Sequence, residues 1–266
     1  MIELDTIYNE PNLDTMRRMD DESIDLVVTS PPYDDLRKYN GYSFDFDPMP
    51  AELYRVLKPG RAIVWVVGDA CVDGTETGTS FRQALAFMDA GFKLHDTMIY
   101  EKNSSSFPAK RTSKRYTQIF EYMFIFAKGK IRNDISLIAD KPNKWAGHTN
   151  WGKLTQYGKD GHENGRKERI NPVPDFSLRT NIWRYITSVD RGTGNHPAVF
   201  PEKLAEDHIL SWSLPGETIY DPFMGSGTTA KMSWLNERHF VGSEISGEYC
   251  KIAAKRIDGL SRLLFH

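Results

Sequence analysis

Apolar positions along the chain fall into two kinds of run. The first is short, continuous and rich in β-branched or aromatic residues: Ile24 to Val28, AIVWVVG at 62–68, LHDTMIY at 94–100 and YMFIFA at 122–127. Such runs predict strands, the earlier ones buried on both faces of a parallel sheet. The second kind has helical spacing. A helix is expected from Pro50 to Leu57, ended by the pair Pro59-Gly60. Another covers FRQALAFMDAGF, where Phe81, Ala84, Leu85 and Met88 recur at helical intervals and Gly91 supplies a stop. Pro201 opens a further helix whose inward stripe is Leu204, Ala205, His208, Ile209 and Trp212. Strands at 217–221 and 239–245 flank a helix reaching Asn236, and a last helix covers 248–257. The alternation of strands and helices implies an α/β domain.

Residues 129–180 break this rhythm. Gly147, Gly152, Gly158, Gly161 and Gly165 punctuate a polar stretch that also holds Trp145, Trp151 and Tyr157, with little periodicity of either kind, as in an insertion or small subdomain.

At 266 residues the chain suits one large domain or a domain with an insertion, since single domains run to roughly 250 residues. With 34 Lys and Arg against 36 Asp and Glu, the net charge of −2 excludes a globally polycationic protein, so contact with nucleic acid requires a local basic surface. Cys71 and Cys250 lie far apart without CxxC or Cys/His ligand spacing, which argues against a disulfide framework or a structural zinc site. There is no run of about 18 apolar residues, and MIELDTIYNE lacks the basic-then-apolar character of a signal peptide. The expectation is a soluble cytoplasmic protein with no membrane partner.

Candidate chemistry enters with a glycine turn. A strand, then Gly225-Ser226-Gly227-Thr228-Thr229-Ala230, then a helix, fits the GxGxxG/A form of a nucleotide-binding turn, and Glu244 follows 17 positions after Gly227 at the end of the next strand. Glycines allow close approach of a ligand, the helix N-terminus offers N–H donors to an anion, and a carboxylate can accept from ribose hydroxyls. An ordinary β-to-α turn with a surface glutamate fits the same letters. A Walker loop does not, because no lysine follows Gly227 directly. A nicotinamide-dependent dehydrogenase is the stronger rival, but Asp221-Pro222-Phe223 puts a charge and a proline at the mouth of the turn, and nothing nearby supplies hydride chemistry.

The other signal is TSPPY at 29–33, a stiff corner that ends the first apolar strand. Alone it reads more simply as a proline-terminated strand with a packed tyrosine. Read together, TSPPY and DPFMGSGTT resemble the β-class DNA amino-methyltransferases that use S-adenosylmethionine, in which an SPPY or DPPY motif precedes the cofactor motif. SIDLVVTSPPYDDLRKY at 23–39, YRVLKPGRAIVWVVGD at 54–69, IFEYMFIFAKGK at 119–130, HPAVFPEKLAEDHILSW at 196–212 and VGSEISGEYCKIAAKRI at 241–257 are similar to that family too, so the resemblance covers most of the chain. It implies a doubly wound Rossmann-like methyltransferase sheet. Residues 1–128 would be the catalytic part, 129–180 the variable target-recognition insertion, and 181–266 the cofactor-binding part. Where many relatives carry Gly-Asp, its acid at the cofactor's adenine, this chain has Glu10-Pro11, with Asn12 or Asp14 as the candidate substitute.

The resemblance assigns catalysis to Ser30, Pro31, Pro32 and Tyr33. An exocyclic amino group is a poor nucleophile because its lone pair is delocalised into the ring. The Ser30 hydroxyl and the Pro31 carbonyl can accept its two N–H bonds, favouring a pyramidal nitrogen. Tyr33 offers a stacking face, and a base inside a duplex must flip out to reach it. Ser30 in place of Asp points to the N4 of cytosine, with the N6 of adenine as the alternative. For S-adenosylmethionine, the resemblance implies Asp221, Phe223, Gly225, Ser226, Gly227, Thr228 and Thr229 along the methionine and ribose part and Glu244 on the ribose hydroxyls. It places His196 beside the cofactor, a capping or core histidine being the other reading. Methyl transfer needs no metal, and no ligand cluster is seen.

Local charge inverts the global balance between Lys102 and Arg132, where Lys102, Lys110, Arg111, Lys114, Arg115, Lys128, Lys130 and Arg132 face only Glu121. The tract SSSFPAKRTSKRYTQ suits a loop gripping phosphates, and Lys110, Arg111, Lys114 and Arg115 are its candidate DNA contacts; a solvated loop is the plainer reading. Lys144, Trp145, Lys153, Arg166, Lys167 and Arg169 are candidates for reading base edges. The implied partner is double-stranded DNA. A cognate restriction endonuclease and an orphan or phage role are both compatible, as are a monomer and a homodimer. Beyond adenine N6 methylation, the rivals are a catalytically silent DNA-binding module and the dehydrogenase.

Overall fold

A computed structural model describes residues 2–32, 46–103, 114, 116–149, 156–157, 163–164, 171–185 and 201–261. The chain divides into two compact units, Met1–Ser136 with Asn181–His266, and Leu137–Thr180.

The first unit opens with β1 (Thr6–Tyr8), α1 (Asn12–Arg17), β2 (Ile24–Thr29), α2 (Met49–Val56) and β3 (Leu57–Val67). A small hairpin of β4 (Cys71–Val72) and β5 (Thr75–Glu76) leads to α3 (Thr79–Asp89), β6 (Lys93–Lys102) and β7 (Phe120–Ala127). The second unit holds β8 (Lys141–Pro142), β9 (Gln156–Tyr157), β10 (Glu163–Asn164) and β11 (Phe176–Ser177). The chain returns to the first unit through β12 (Ile182–Tyr185), α4 (Glu202–Trp212), β13 (Thr218–Asp221), α5 (Thr228–Leu235), β14 (His239–Ser243) and α6 (Gly247–Ser261).

Eight strands form one sheet in the order β1-β14-β13-β2-β3-β7-β6-β12. Five neighbours from β1 to β3 run parallel, and β12 lies parallel to β6. β7 is antiparallel to both of its neighbours, so the Rossmann-like sheet is mixed. Alternation sends successive side chains to opposite faces. Val27, Ile63, Trp65, Val67, Tyr220 and Val241 pack with Met16, Leu53, Val56 and Phe87 from α1, α2 and α3. Phe240, next to Val241, faces the other way and meets Met224 and Ala230. Each large apolar side chain so buried contributes about 1.5–3 kcal/mol.

All five residues of the expected α4 stripe are buried. The helix expected over FRQALAFMDAGF forms as α3; its inward face is Ser80, Gln83, Ala84 and Phe87, with Phe81, Leu85 and Met88 exposed. Two polar residues can face inward because both are satisfied: Gln83 accepts from the Trp65 indole N–H at 2.8 Å, and Ser80 donates to Asp69 at 2.5 Å. Pro59-Gly60 does not end α2. That helix stops at Val56, and the pair lies in the irregular start of β3, where Leu57 pairs with Ile24 but Ala62 with Leu26.

At the amino ends of the central strands lies a buried ion network. Asp25 of β2 accepts from Lys58 at 2.9 Å, Arg61 at 2.8 Å and the Thr218 N–H at 3.0 Å. Arg61 and Arg132 also grip Glu217. In the second unit β8 pairs antiparallel with β11 and β9 with β10. There the turn at 143–148 is braced by hydrogen bonds between Asn143 and Asp175, Gly147 and Val173, and Val173 and His148.

Candidate active site

The two motifs end neighbouring strands. β2 and β13 run parallel with Leu26 opposite Ile219 and Val27 opposite Tyr220, so both chains leave the sheet at the same edge. Thr29, the last residue of β2, precedes Ser30-Pro31-Pro32; Asp221, the last of β13, precedes Pro222-Phe223. The Thr29 hydroxyl donates to Asp221 Oδ1 at 2.6 Å, and the Phe223 N–H donates to the same oxygen at 2.9 Å. Thr229, in the first turn of α5, donates to the Val28 carbonyl at 3.1 Å. The proline corner and the glycine turn are therefore tied together through residues roughly 200 positions apart.

Asp221 is 1% exposed, and among the described residues no cation pairs with it. Burial pushes its carboxyl up to about 6, against the opposing pull of the hydrogen bonds from Thr29 and Phe223. Glu244, just past β14, accepts the Gly225 N–H on one oxygen and the Ser246 N–H on the other, each at 2.8 Å. Burial raises its pKa as well. With the Ile245 N–H also directed at it, the Glu244 carboxylate keeps part of its roughly four acceptor positions for hydroxyl donors.

Gly227 has φ +82°, and a Cβ there would stand 2.8 Å from the Ala253 Cβ of α6. The left-handed backbone and the close helix each demand glycine. Among the described residues no side chain caps the amino end of α5. Of the two candidates for the missing acid, Asn12 reaches the Asp-Pro-Phe loop, its amide donating to the Pro222 carbonyl at 3.3 Å. Asp14 is exposed and paired with Arg17. Glu10 accepts from Thr15 and Arg18. Phe223 meets Trp65 edge to face with centroids 6.2 Å apart, joining the loop to the core.

Among the expected residues, Ser30, Pro31, Pro32, Asp221, Phe223, Gly225, Ser226, Gly227, Thr228, Thr229 and Glu244 stand along this one edge. Tyr33, His196, Lys110, Arg111 and Arg115 lie outside the described residues, and so do Lys153, Arg166, Lys167 and Arg169. Lys114 is exposed. Three cations of the basic tract are engaged within the fold: Lys102 with Glu121, Lys128 with Glu22, and Arg132 with Glu217. In the second unit Lys144 lies 5.3 Å over the exposed Trp145 ring. Sequence reasoning missed Thr29 as the link to Asp221; its place at the end of a strand beside Ser30 was the available signal. Among the described residues no three His, Cys, Asp or Glu side chains group as a metal site, and no helix is long and apolar enough to cross a membrane.

A Rossmann-like sheet with helices on both faces and a glycine turn braced by an acid at the next strand end is the architecture of a methyltransferase. The DNA methylase family profile matches residues 24–255, and the chain belongs to this family of S-adenosylmethionine-dependent N4/N6 amino-methyltransferases acting on DNA. It is 57% identical over 242 residues to the orphan methyltransferase M.BamHII of Bacillus amyloliquefaciens, covering 89% of each chain. It is 25% identical over 272 residues to the DNA adenine methyltransferase YhdJ of Escherichia coli (strain K12), covering 96% of this chain and 83% of that one. The structure of PvuII DNA methyltransferase (cytosine-N4-specific) shares the fold with a TM-score of 0.68 at 21% identity, over 94% of this chain and 85% of that chain.

Proposed function

We propose that this protein methylates the exocyclic N4 of cytosine at specific sites in duplex DNA, on a base turned out of the helix. The observation that carries the reading is the Thr29–Asp221 hydrogen bond, which ties a Ser-Pro-Pro corner to a cofactor-type turn at one sheet edge. Ser30 and the Pro31 carbonyl accept the two amino N–H bonds, and Tyr33 stacks on the base. Pro31 and Pro32 hold these acceptors in place without competing N–H donors. Rigidity counts here because a reacting group displaced by about 1 Å costs some 100-fold in rate.

The turn fits the amino-acid end of S-adenosylmethionine. That end carries one ammonium and one carboxylate, matched by the buried Asp221 and by the amino end of α5, which among the described residues have no cation and no side-chain cap, respectively. Glu244 retains acceptor capacity for the ribose hydroxyls, and Phe223, Gly225, Ser226, Gly227, Thr228 and Thr229 line the same turn; His196 precedes α4 in sequence. When bound, S-adenosylmethionine supplies the electrophilic methyl group. On the DNA side, Lys110, Arg111, Lys114 and Arg115 grip phosphates flanking the target, a contact that weakens steeply with salt. The 57% identical relative is named an orphan methyltransferase, which supports action without a partnered endonuclease.

The test is mass spectrometry of nucleosides from DNA treated with the protein and S-adenosylmethionine. N4-methylcytosine is expected. N6-methyladenine would establish the second reading, which the likeness to YhdJ favours.

A further inference from the structure

Behind the glycine turn lies a charge cluster with no part in the chemistry above. Arg256 of α6, its side chain 7% exposed, donates from one guanidinium nitrogen to the Ser226 carbonyl at 2.7 Å and to the Ser226 hydroxyl at 3.1 Å. The same nitrogen stands 3.4 Å from the Thr228 hydroxyl. Its second terminal nitrogen donates to Glu202 at 2.6 Å, at the start of α4, and Lys231 of α5 reaches the same Glu202 oxygen at 2.6 Å. Ala253, three residues before Arg256, is the side chain that a Cβ on Gly227 would strike. One face of α6 is thus fitted to the back of the turn.

The two ends of the turn are held by opposite charges. Glu244 takes the Gly225 N–H, and Arg256 takes the Ser226 carbonyl. Gly225, at φ +53°, lies between these anchors and Gly227, at φ +82°, directly after them, residues with the largest conformational freedom in the chain. The N–H side of the Ser226–Gly227 peptide is held by the Met224 carbonyl at 2.9 Å, and Arg256 holds its carbonyl side; without Arg256 the peptide could tilt and bring that carbonyl toward the ligand side, where an anionic carboxylate would be repelled. Anchored, the carbonyl is held back and α5 presents only N–H groups.

We infer that Arg256, oriented by Glu202, is a positioning residue for cofactor binding: it fixes the Ser226 carbonyl so that the turn is preorganised before the ligand arrives. This rests on the glycine turn being the S-adenosylmethionine site. It adds a residue more than 25 positions beyond the motif, on an element that contributes no other group to the chemistry.

The test is calorimetric titration of S-adenosylhomocysteine into wild type, Arg256→Met, Arg256→Lys and Lys231→Met, with steady-state kinetics and DNA binding measured alongside. Arg256→Met should raise the Kd and the cofactor KM about tenfold, leaving kcat and DNA affinity within about twofold. Lysine has a single donor head and cannot span both Ser226 and Glu202, so Arg256→Lys should weaken binding about threefold. Lys231→Met removes an ion pair from the same cluster without touching the turn and should leave cofactor affinity unchanged. Arg256→Met with wild-type cofactor affinity and a lowered Tm would overturn the inference. If Arg256→Met does not fold, wild-type affinity in Arg256→Lys would overturn it equally. Wild-type protein that bound no S-adenosylhomocysteine would overturn the functional reading, and this inference with it.

Discussion

Two aspartates at opposite ends of the same central strands show what separates scaffold from site. Asp25, at the amino end of β2, and Asp221, at the carboxyl end of β13, are 3% and 1% exposed. Asp25 has two cations, Lys58 and Arg61, and a backbone N–H. Asp221 has the Thr29 and Thr229 hydroxyls and a backbone N–H, with no cation among the described residues. A buried charge is tolerated when paired, as at Asp25; left without a cation, it costs stability and its pKa rises, as at Asp221. A fold keeps such a group when a ligand supplies the missing charge, and that is the role proposed for Asp221.

The same substitution at both ends should therefore give opposite results. The largest effect is expected at the site: Asp221→Asn should weaken S-adenosylhomocysteine binding about 100-fold, measured by calorimetry, because the ammonium loses its counter-charge. Asp25→Asn should leave cofactor affinity and kcat unchanged but lower stability by about 2 kcal/mol in urea unfolding, because Lys58 and Arg61 lose their shared partner. Its cost is moderated by Glu217, which still holds Arg61, and by the 38% exposure of Lys58.

Asp221→Asn should, by contrast, stabilise the ligand-free protein at pH 7.5 by on the order of 1–2 kcal/mol. The sign follows from the carboxyl being raised from 3.8 to about 6 in the fold. Below about pH 3 both folded and unfolded chains hold the proton and the burial penalty is absent. As pH rises toward 6 the unfolded chain gives up the proton first, so stability falls, and the penalty is complete above that value. Thermal melts of wild type and Asp221→Asn should coincide near pH 3 and separate by pH 7. The smallest effect is expected for Thr29→Val, which keeps the shape but removes the donor to Asp221: about 1 kcal/mol of stability and a further rise of the Asp221 pKa.

Much of this was legible in the sequence because the signals are local. A strand, a glycine turn and a helix at 218–235 follow from neighbouring residues, as do the proline stop after Thr29 and the α4 stripe. Other features depend on partners far away. The pairing of Thr29 with Asp221 spans 192 positions and follows only once β2 and β13 are neighbours. The inward face of α3 does not follow from its own letters, because Gln83 and Ser80 look like surface residues until Trp65 and Asp69 are placed beside them. Arg256 looks like one more solvated cation on an amphipathic helix, and only its contact with Ser226 distinguishes it. The antiparallel direction of β7 has no mark in its apolar letters at all.

The most direct measurement is the proton balance of cofactor binding. Wild-type protein is titrated with S-adenosylhomocysteine at pH 6 in two buffers of different ionisation enthalpy, and Asp221→Asn is titrated in parallel. Net release of a proton by wild type and its loss in the variant are predicted, since an arriving ammonium draws the Asp221 carboxyl back to its charged form. Binding with no proton released, or with the same release in Asp221→Asn, would contradict the account.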